Sequence, residues 1–230
     1  MADTKEVLAG LDTEHSDSKL LCIIANVRGA EEAVAFEKIS NLGFPFSVSP
    51  TFQKRNANST VPESLDRVKE IKRLCDMNDK ELVVYISMAF GNPYDDNYSE
   101  EIVLEWIKIL VDEGVKIISL SDTVGLAEPD QISSLVKKVI STYPDIETGV
   151  HLHSTRFHWK EKLIAALSNG CMRFDGALKG IGGCPMAKDE LIGNMDSELM
   201  IPYFESLGYL RKLDNDALQK ASQIASEIFV

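Results

Sequence analysis

The chain has 230 residues, 44% of them hydrophobic, which suffices for a single well-packed domain over residues 1–230. Its 36 acidic and 24 basic residues give a formal charge of −12, which argues against nucleic-acid binding because that requires a basic face. No apolar run approaches the roughly 20 residues of a membrane span and the N-terminus lacks the pattern of a signal peptide, so we expect a cytoplasmic protein with no nucleic-acid or membrane partner.

Apolar runs alternate with helical patterns along the chain. Strands are predicted over residues 20–25, 44–49, 82–89, 116–120, 148–153 and 174–178. Helices are predicted over residues 29–42, 64–75, 99–113, 129–143, 160–169, 196–207 and 214–229. Ser99 is a predicted N-cap, Gly43 is a predicted C-cap, and the polar stretch 52–60 is a predicted loop.

The six strand-then-helix units indicate a parallel sheet. Such a sheet forms either an open doubly wound structure or a (β/α)8 barrel, and both place functional residues after the C-terminal ends of the strands. A barrel needs eight units and typically about 250 residues, so a count of six slightly favours the open sheet.

The four cysteines are Cys22, Cys75, Cys171 and Cys184. None forms a C-x-x-C pair, which argues against a zinc ribbon or a thioredoxin-like site. Cys22 and Cys75 lie in strand-like and helical patterns, where packing is the expected role. Cys184 differs because it lies in the glycine-rich segment G-I-G-G-C-P-M-A, residues 180–187. A thiol of ordinary pKa, roughly 8.5, can exchange a proton near neutral pH, and the alternative is a small loop residue.

Two histidines end the fifth predicted strand, in the segment T-G-V-H-L-H. His151 and His153 are two positions apart, so in a strand they face the same side, about 6.6–7 Å apart along the chain. Two imidazoles placed in this way can converge on one metal ion. The alternatives are two unrelated surface histidines, or a pair that is hydrogen-bonded to carbonyl groups.

Further polar residues follow the ends of neighbouring strands. Asp122 lies in S-D-T-V-G, and Asn194 and Glu198 come after the glycine-rich segment. Two imidazoles and a carboxamide oxygen, with no thiolate at close spacing, favour Mg²⁺ or Mn²⁺ over Zn²⁺ and leave positions open for substrate oxygens. Asp122 could instead be a helix N-cap, and Asn194 a turn or cap residue.

Four segments in this order resemble the hydroxymethylglutaryl-CoA lyase family, which belongs to the metal-dependent pyruvate-carboxyltransferase-like barrels. They are S-D-T-V-G, H-L-H-S-T, G-I-G-G-C-P-M-A and G-N-M-D-S-E, and G-G-C-P with an alanine two residues on is the most specific of them. The segment S-M-A-F-G-N-P-Y, residues 87–94, is similar to the family's fifth-strand segment. The resemblance runs from about Thr4 to the C-terminus and implies a barrel of the TIM (β/α)8 type in place of the open sheet.

The resemblance also implies an activity and a cofactor. The reaction is the cleavage of 3-hydroxy-3-methylglutaryl-CoA into acetyl-CoA and acetoacetate, with Mg²⁺ or Mn²⁺ as the cofactor. His151, His153 and Asn194 match the family's metal ligands. An acyl-CoA is therefore the expected binding partner.

Three further side chains match family residues with other roles. Cys184 matches the loop cysteine that transfers a proton during cleavage. Asp122 matches an acidic residue near the substrate hydroxyl, and Glu198 matches a carboxylate that supports the site. An aldolase or condensing enzyme of the same superfamily is the alternative activity, against which the cysteine segment argues.

The chain departs from the family pattern most seriously at its start. The family's first strand carries an Arg-Asp-Gly motif, whose aspartate binds the metal and whose arginine steadies the enolate, and no Arg-Asp-Gly occurs in this sequence. The first two βα units are therefore expected to be absent, which leaves a barrel truncated to about six units. Unpaired edges would then favour a homo-oligomer. An inactive chain that only binds or assembles is the second alternative. Ser154 also stands where the family usually has aspartate.

Overall fold

Six parallel strands form one sheet, and they follow one another in the order of the chain. The structure is a computed structural model that describes residues 3–14, 16–183, 192–210 and 213–229. The strands are β1 (Leu20–Ile23), β2 (Ile39–Ser47), β3 (Glu81–Ser87), β4 (Ile117–Ser121), β5 (Glu147–His151) and β6 (Arg173–Phe174). A doubly wound sheet reverses its strand order at a switch point, and this sheet has no reversal. The slight preference for an open doubly wound sheet is therefore wrong, and the truncated TIM (β/α)8-type barrel is confirmed.

Helices cover the outer face of this sheet. They are α1 (Thr4–Gly10), α2 (Val27–Val34), α3 (Pro50–Ala57), α4 (Val61–Met77), α5 (Glu100–Asp112), α6 (Pro129–Thr142), α7 (Trp159–Leu167), α8 (Ser197–Ser206) and α9 (Asn215–Ile228). Local sequence sets several of their starts. The Thr60 hydroxyl and the Glu63 carboxylate form a reciprocal capping box at α4. The Ser99 hydroxyl accepts a hydrogen bond from the Ile102 amide, so the predicted N-cap of α5 is confirmed.

The two edges of the sheet are not paired with each other in the part of the chain that the structure describes. There, β1 pairs with β2 alone, and β6 pairs with β5 alone. The curled sheet is thus an incomplete barrel, as the count of six units predicts. Over the same residues, no helix combines the length and the apolar character that crossing a bilayer demands.

The helix predicted over residues 29–42 is wrong in its second half. Helix α2 ends at Val34, and β2 begins at Ile39 and runs through Gly43. Gly43 is therefore not a C-cap. Its place in the strand has a steric reason, since a Cβ there would lie 2.5 Å from Cδ1 of Ile23 and 2.9 Å from Cε2 of Tyr85. The missing side chain leaves room for these two neighbours inside the curled sheet.

The loop predicted over residues 52–60 is mostly helical. Helix α3 starts at Pro50, and the Ser49 hydroxyl accepts a hydrogen bond from the Phe52 amide as its N-cap. The polar composition misled the prediction because only Phe52 and Gln53 of this helix are buried. The strand predicted over residues 174–178 is also wrong in extent, since β6 is two residues long and a 3-10 turn follows at Leu178–Gly180.

The hydrophobic core lies between the sheet and the helices. Side chains that face outward from β3 and β4 are fully buried against the helices: Val84, Ile86, Ile118, Leu120, and from α4 and α5 Val68, Ile71, Ile107 and Leu110. The alternate positions face the inside of the curled sheet and include Tyr85, Ser119 and His151. The inner face is therefore polar, and it provides the surface on which a site can form.

Candidate active site

A cavity of about 510 Å³ opens at the C-terminal ends of β3, β4 and β5. Its walls come from the inner face of the sheet and from the segments that follow the strands. The polar residues that line it are Tyr85, Ser87, Ser121, Thr123, His151, His153, Asp175 and Asn194. In parallel barrels this end carries the functional residues, because the strand-to-helix loops meet there.

The two histidines converge in this cavity. His151 is the last residue of β5, and its ring centroid lies 5.3 Å from that of His153. The spacing of two positions along an extended chain brings both rings to the same side, as the sequence predicts. Their use as metal ligands remains a prediction.

The ring of His153 is buried and held in one orientation. Its Nδ1 lies 3.1 Å from the carbonyl oxygen of Ile192, so Nδ1 carries the proton and donates it to that oxygen. The other nitrogen, Nε2, is then the one with a free lone pair. Burial lowers the pKa of His153, and the neighbouring His151 lowers it further. The neutral ring that results is the form of imidazole that binds metal ions.

Asp175 contacts His151 and was missed by the sequence reasoning. Oδ2 of Asp175 lies 3.3 Å from Nδ1 of His151 and accepts a hydrogen bond of 3.4 Å from the hydroxyl of Ser119. The ring of Tyr85 stands edge-on to His151 at 5.9 Å. Burial, followed by the charge of Asp175, raises the pKa of Tyr85 to about 12, so its hydroxyl stays protonated near neutral pH. Asp175 directly follows Phe174, the last residue of β6. The other candidate site residues likewise lie at or after the C-terminal ends of predicted strands.

Asn194 presents an oxygen that has no partner among the described residues. It forms an antiparallel bridge with His153, and its Nδ2 donates a hydrogen bond of 2.7 Å to the carbonyl of Ile181. That bond fixes the amide so that Oδ1 is buried and accepts nothing from the part of the protein that is described. A Cβ at Gly182 would lie 2.8 Å from Nδ2, so glycine at this position makes room for the amide. Buried acceptors are almost always paired, so an oxygen without a partner among the described residues is an available ligand for a cation.

These donors fit a divalent cation. Two imidazoles and a carboxamide oxygen on one cavity would supply three ligands and would leave positions open at a six-coordinate ion. Within residues 3–14, 16–183, 192–210 and 213–229, no group of three or more His, Cys, Asp or Glu side chains is arranged to hold a metal. Among the described residues, therefore, no carboxylate joins the two histidines in such a group, and the sequence contains no Arg-Asp-Gly motif.

Asp122 has other partners than the one predicted for it. It is buried directly after β4, its Oδ1 accepts a hydrogen bond from the Ala127 amide, and its Oδ2 lies 2.8 Å from Nζ of Lys162. Asp122 is not among the residues that line the cavity. Contact between Asp122 and a substrate hydroxyl remains a prediction, while the structure gives both carboxylate oxygens a partner within the protein.

Glu198 lies in the first turn of α8, away from the cavity walls. One of its oxygens accepts a hydrogen bond from the Ser222 hydroxyl of α9, and the other lies 3.4 Å from Nζ of Lys179. Glu198 thus ties two helices to the 3-10 turn, and its supporting role remains a prediction. Cys184 lies outside the described residues; Gly183, which precedes it, lines the cavity.

Consecutive parallel strands, outer helices and a polar site at the strand C-termini define a protein of the (β/α)-barrel class. A family model described as HMGL-like matches residues 1–225. The chain therefore belongs to the HMGL-like family.

The chain is also similar to individual lyases and to solved lyase structures. The chain is 33% identical over 204 residues to the (R)-citramalyl-CoA lyase of Chloroflexus aurantiacus, covering 89% of this chain and 64% of that protein. It is similar to the crystal structure of the Bacillus subtilis HMG-CoA lyase, with a TM-score of 0.89 at 27% identity, covering 99% of this chain and 75% of that one. It is also similar to an HMG-CoA lyase from Acinetobacter baumannii in complex with coenzyme A and 3-methylmalate, with a TM-score of 0.85 at 30% identity, covering 97% and 72%. The chain thus spans between 64% and 75% of the length of these relatives.

Proposed function

We propose that this protein is a metal-dependent carbon–carbon lyase that cleaves 3-hydroxy-3-methylglutaryl-CoA into acetyl-CoA and acetoacetate. The observation that carries the proposal is the convergence of His151, His153 and Oδ1 of Asn194 on one cavity; this oxygen has no partner within the described residues. Membership of the HMGL-like family supports it, as does the similarity to an HMG-CoA lyase that binds coenzyme A. An acyl-CoA is the corresponding partner, and a cytoplasmic location remains a prediction.

The cavity residues prepare the site for a cation. His151, His153 and Asn194 are the residues that would hold Mg²⁺ or Mn²⁺, and the ion supplies Lewis-acid polarisation of substrate oxygens when it is bound. The hydrogen bond from His153 to the Ile192 carbonyl keeps Nε2 available. Asp175 holds the other ring through Nδ1 of His151. Such contacts behind a ligand set its tautomer and its orientation.

The proposed reaction is a retro-Claisen cleavage, in which the substrate loses one proton from oxygen and gains one on carbon. A base removes the proton of the tertiary hydroxyl, and the oxygen becomes the new ketone of acetoacetate as the C–C bond breaks. The electron pair of that bond passes into the enolate of acetyl-CoA. Cys184 donates a proton to the enolate carbon and becomes a thiolate, and the proton held by the base returns to the thiolate, so that base and thiol are both restored. Asp122 is the residue that the family resemblance assigns to the neighbourhood of that hydroxyl.

One related substrate is favoured by a specific observation. The relative with 33% identity is a citramalyl-CoA lyase. The same bond cleavage on citramalyl-CoA gives acetyl-CoA and pyruvate, so the two candidates differ in the keto acid released. The third candidate is a chain that binds ligand but does not turn it over, which the lack of Arg-Asp-Gly in these 230 residues favours.

The test compares the three candidates on two forms of the protein: the 230-residue chain, and the same chain with the first two βα units of the Bacillus subtilis relative ahead of Thr4. Each form is incubated with Mn²⁺ and either thioester, and acetoacetate and pyruvate are measured. His153→Ala is compared with His158→Ala, which removes an exposed histidine that pairs with Glu161. Acetoacetate release that needs Mn²⁺ and is lost only in His153→Ala supports the proposal. Release of pyruvate alone identifies the citramalyl-CoA activity, and Mn²⁺ binding without either product in both forms identifies the non-catalytic chain.

A further inference from the structure

A buried ion pair between Lys162 and Asp122 lies outside the cavity and contacts the segments that form its walls. We infer that Lys162, together with Asp122, is a positioning residue that fixes the main chain of both candidate metal histidines. The inference rests on the proposed function only in assigning metal binding to His151 and His153. Neither lysine nor aspartate lines the cavity.

Lys162 lies on α7, and its side chain is only 8% exposed. Its Nζ donates three hydrogen bonds, to Oδ2 of Asp122 at 2.8 Å, to the carbonyl of His153 at 2.9 Å and to the carbonyl of Gly125 at 3.3 Å. An ammonium group has three protons, so its donors are fully used. The lysine thereby joins the segment after β4 to the segment after β5.

The main-chain amide of Asp122 donates a hydrogen bond of 2.9 Å to the carbonyl of His151. The side chain of Asp122 pairs with Lys162, whose ammonium group donates to the carbonyl of His153. Loss of the ion pair therefore removes the donor to the His153 carbonyl and frees the side chain that anchors the segment carrying the Asp122 amide.

The energetics of buried charges argue that the pair serves geometry more than stability. Taking an ammonium and a carboxylate out of water costs much of what their attraction returns, and uncharged replacements of similar volume are often neutral or stabilising. Removing one partner is costly, however, because the other charge stays buried alone. Stability and positioning therefore respond differently to the single and the double substitution.

The experiment compares Lys162→Met with the double variant Asp122→Asn, Lys162→Met. Lys138→Met is the matched control, since it removes a lysine from a surface ion pair with Glu100. Three quantities are measured: the midpoint of thermal unfolding, the Kd for Mn²⁺ by calorimetry, and the ¹⁵N shifts of the His153 ring without metal. These shifts report how fully Nδ1 carries the proton.

For a positioning role, Lys162→Met lowers the unfolding midpoint and weakens Mn²⁺ binding by roughly 10–100-fold, as loss of contacts behind metal ligands does. The double variant regains the unfolding midpoint, but neither the Mn²⁺ affinity nor the wild-type ¹⁵N shifts. Lys138→Met retains the wild-type Mn²⁺ affinity and the wild-type ¹⁵N shifts. If Lys162→Met does not fold, the Mn²⁺ affinity and the ¹⁵N shifts of the double variant test the inference.

Recovery of the Mn²⁺ affinity and the ¹⁵N shifts in the double variant would overturn the inference and leave the pair a structural element. If the wild-type protein fails to bind Mn²⁺, the proposed metal site fails. In that case the ¹⁵N shifts of the metal-free double variant decide the inference on their own, since an unchanged His153 signal contradicts it and an altered signal upholds it.

Discussion

The carboxylate of Asp175 lies 3.3 Å from Nδ1 of His151, at the junction of β5 and β6. This contact orients the more exposed of the two rings, whereas His153 is held by a main-chain carbonyl. We expect Asp175→Asn to weaken Mn²⁺ binding by roughly 10–100-fold, because the carboxylate behind a ligating imidazole sets its orientation and basicity. Calorimetry measures the effect, and Asp112→Asn is the control because it changes a surface carboxylate that pairs with Lys108. Equal affinities in the two variants would exclude Asp175 from the site.

Gly182 is expected to be essential for the position of the Asn194 amide. A Cβ at Gly182 meets Nδ2 of Asn194 at 2.8 Å, while a Cβ at Gly91 meets nothing within 4 Å, and both glycines have positive φ. Gly182→Ala and Gly91→Ala should therefore carry a similar backbone cost, about 1–2 kcal/mol, in the free energy of unfolding. Only Gly182→Ala should also weaken Mn²⁺ binding. Denaturant unfolding of the two variants measures the backbone strain, and calorimetry measures whether the Asn194 amide has been displaced from the site. An equal loss of Mn²⁺ affinity in Gly91→Ala would refute the role of Gly182 in placing that amide.

Two cysteines should resist alkylation in the folded protein. Burial raises the pKa of Cys75 to about 11 and that of Cys171 to about 12, so at pH 8 both remain thiols, and only the thiolate reacts. Of the three cysteines in the described residues, Cys22 is half-buried on the edge strand β1 and should be labelled by iodoacetamide first. Peptide mass spectrometry measures the order, and unfolding in urea should make the buried pair react. Equally fast labelling of Cys171 in the folded state would contradict the burial described.

Turnover should depend on Cys184 and on the family's first two units. The 230 residues contain no Arg-Asp-Gly, whose arginine the family resemblance assigns to the enolate, and the loss of one such contact commonly costs about 10²–10³ in rate, so we expect little turnover from these residues alone. A chimera that carries the first two βα units of the Bacillus subtilis relative ahead of Thr4 should be active. In that chimera, Cys184→Ala or Cys184→Ser should abolish most acetoacetate release, whereas Cys22→Ala should not. Robust metal-dependent release from the 230-residue chain itself would refute the need for the arginine, and an unchanged rate after Cys184→Ala would remove the thiol from the reaction.

The edges of the sheet are expected to drive self-association. Strand β1 has one neighbour in the described part of the chain, and Ile23 on it is 60% exposed. Exposed parallel edges offer unpaired backbone groups to another chain, and a lysine on an edge strand opposes such pairing. Light scattering should therefore report oligomers that Ile23→Lys reduces, and Leu126→Lys, at another exposed apolar position, should leave them intact. A monomeric wild-type protein would rule out this role for the edge.

The pattern of the sequence predicts the strands well where burial on one face is complete, as in β3 and β4. It fails at Gly43 because a glycine after an apolar run looks like a helix C-cap, and the need for glycine there comes from Ile23 and Tyr85 on the neighbouring strands. It fails at α3 because polar composition hides a helix with one buried turn. Lys162 carried no signal at all, since a lysine in a helix is normally solvated and its burial depends on the fold.

The separation of the polar inner face from the apolar core has a practical consequence for redesign. Ser87 and Ser121 line the cavity, whereas the residues that hold the helices to the sheet point the other way. Substitutions at these two positions can be combined and selected for new ligands while the packing between sheet and helices stays intact. Residues inside the half-open barrel can therefore be randomised separately from the core packing that stabilises the fold.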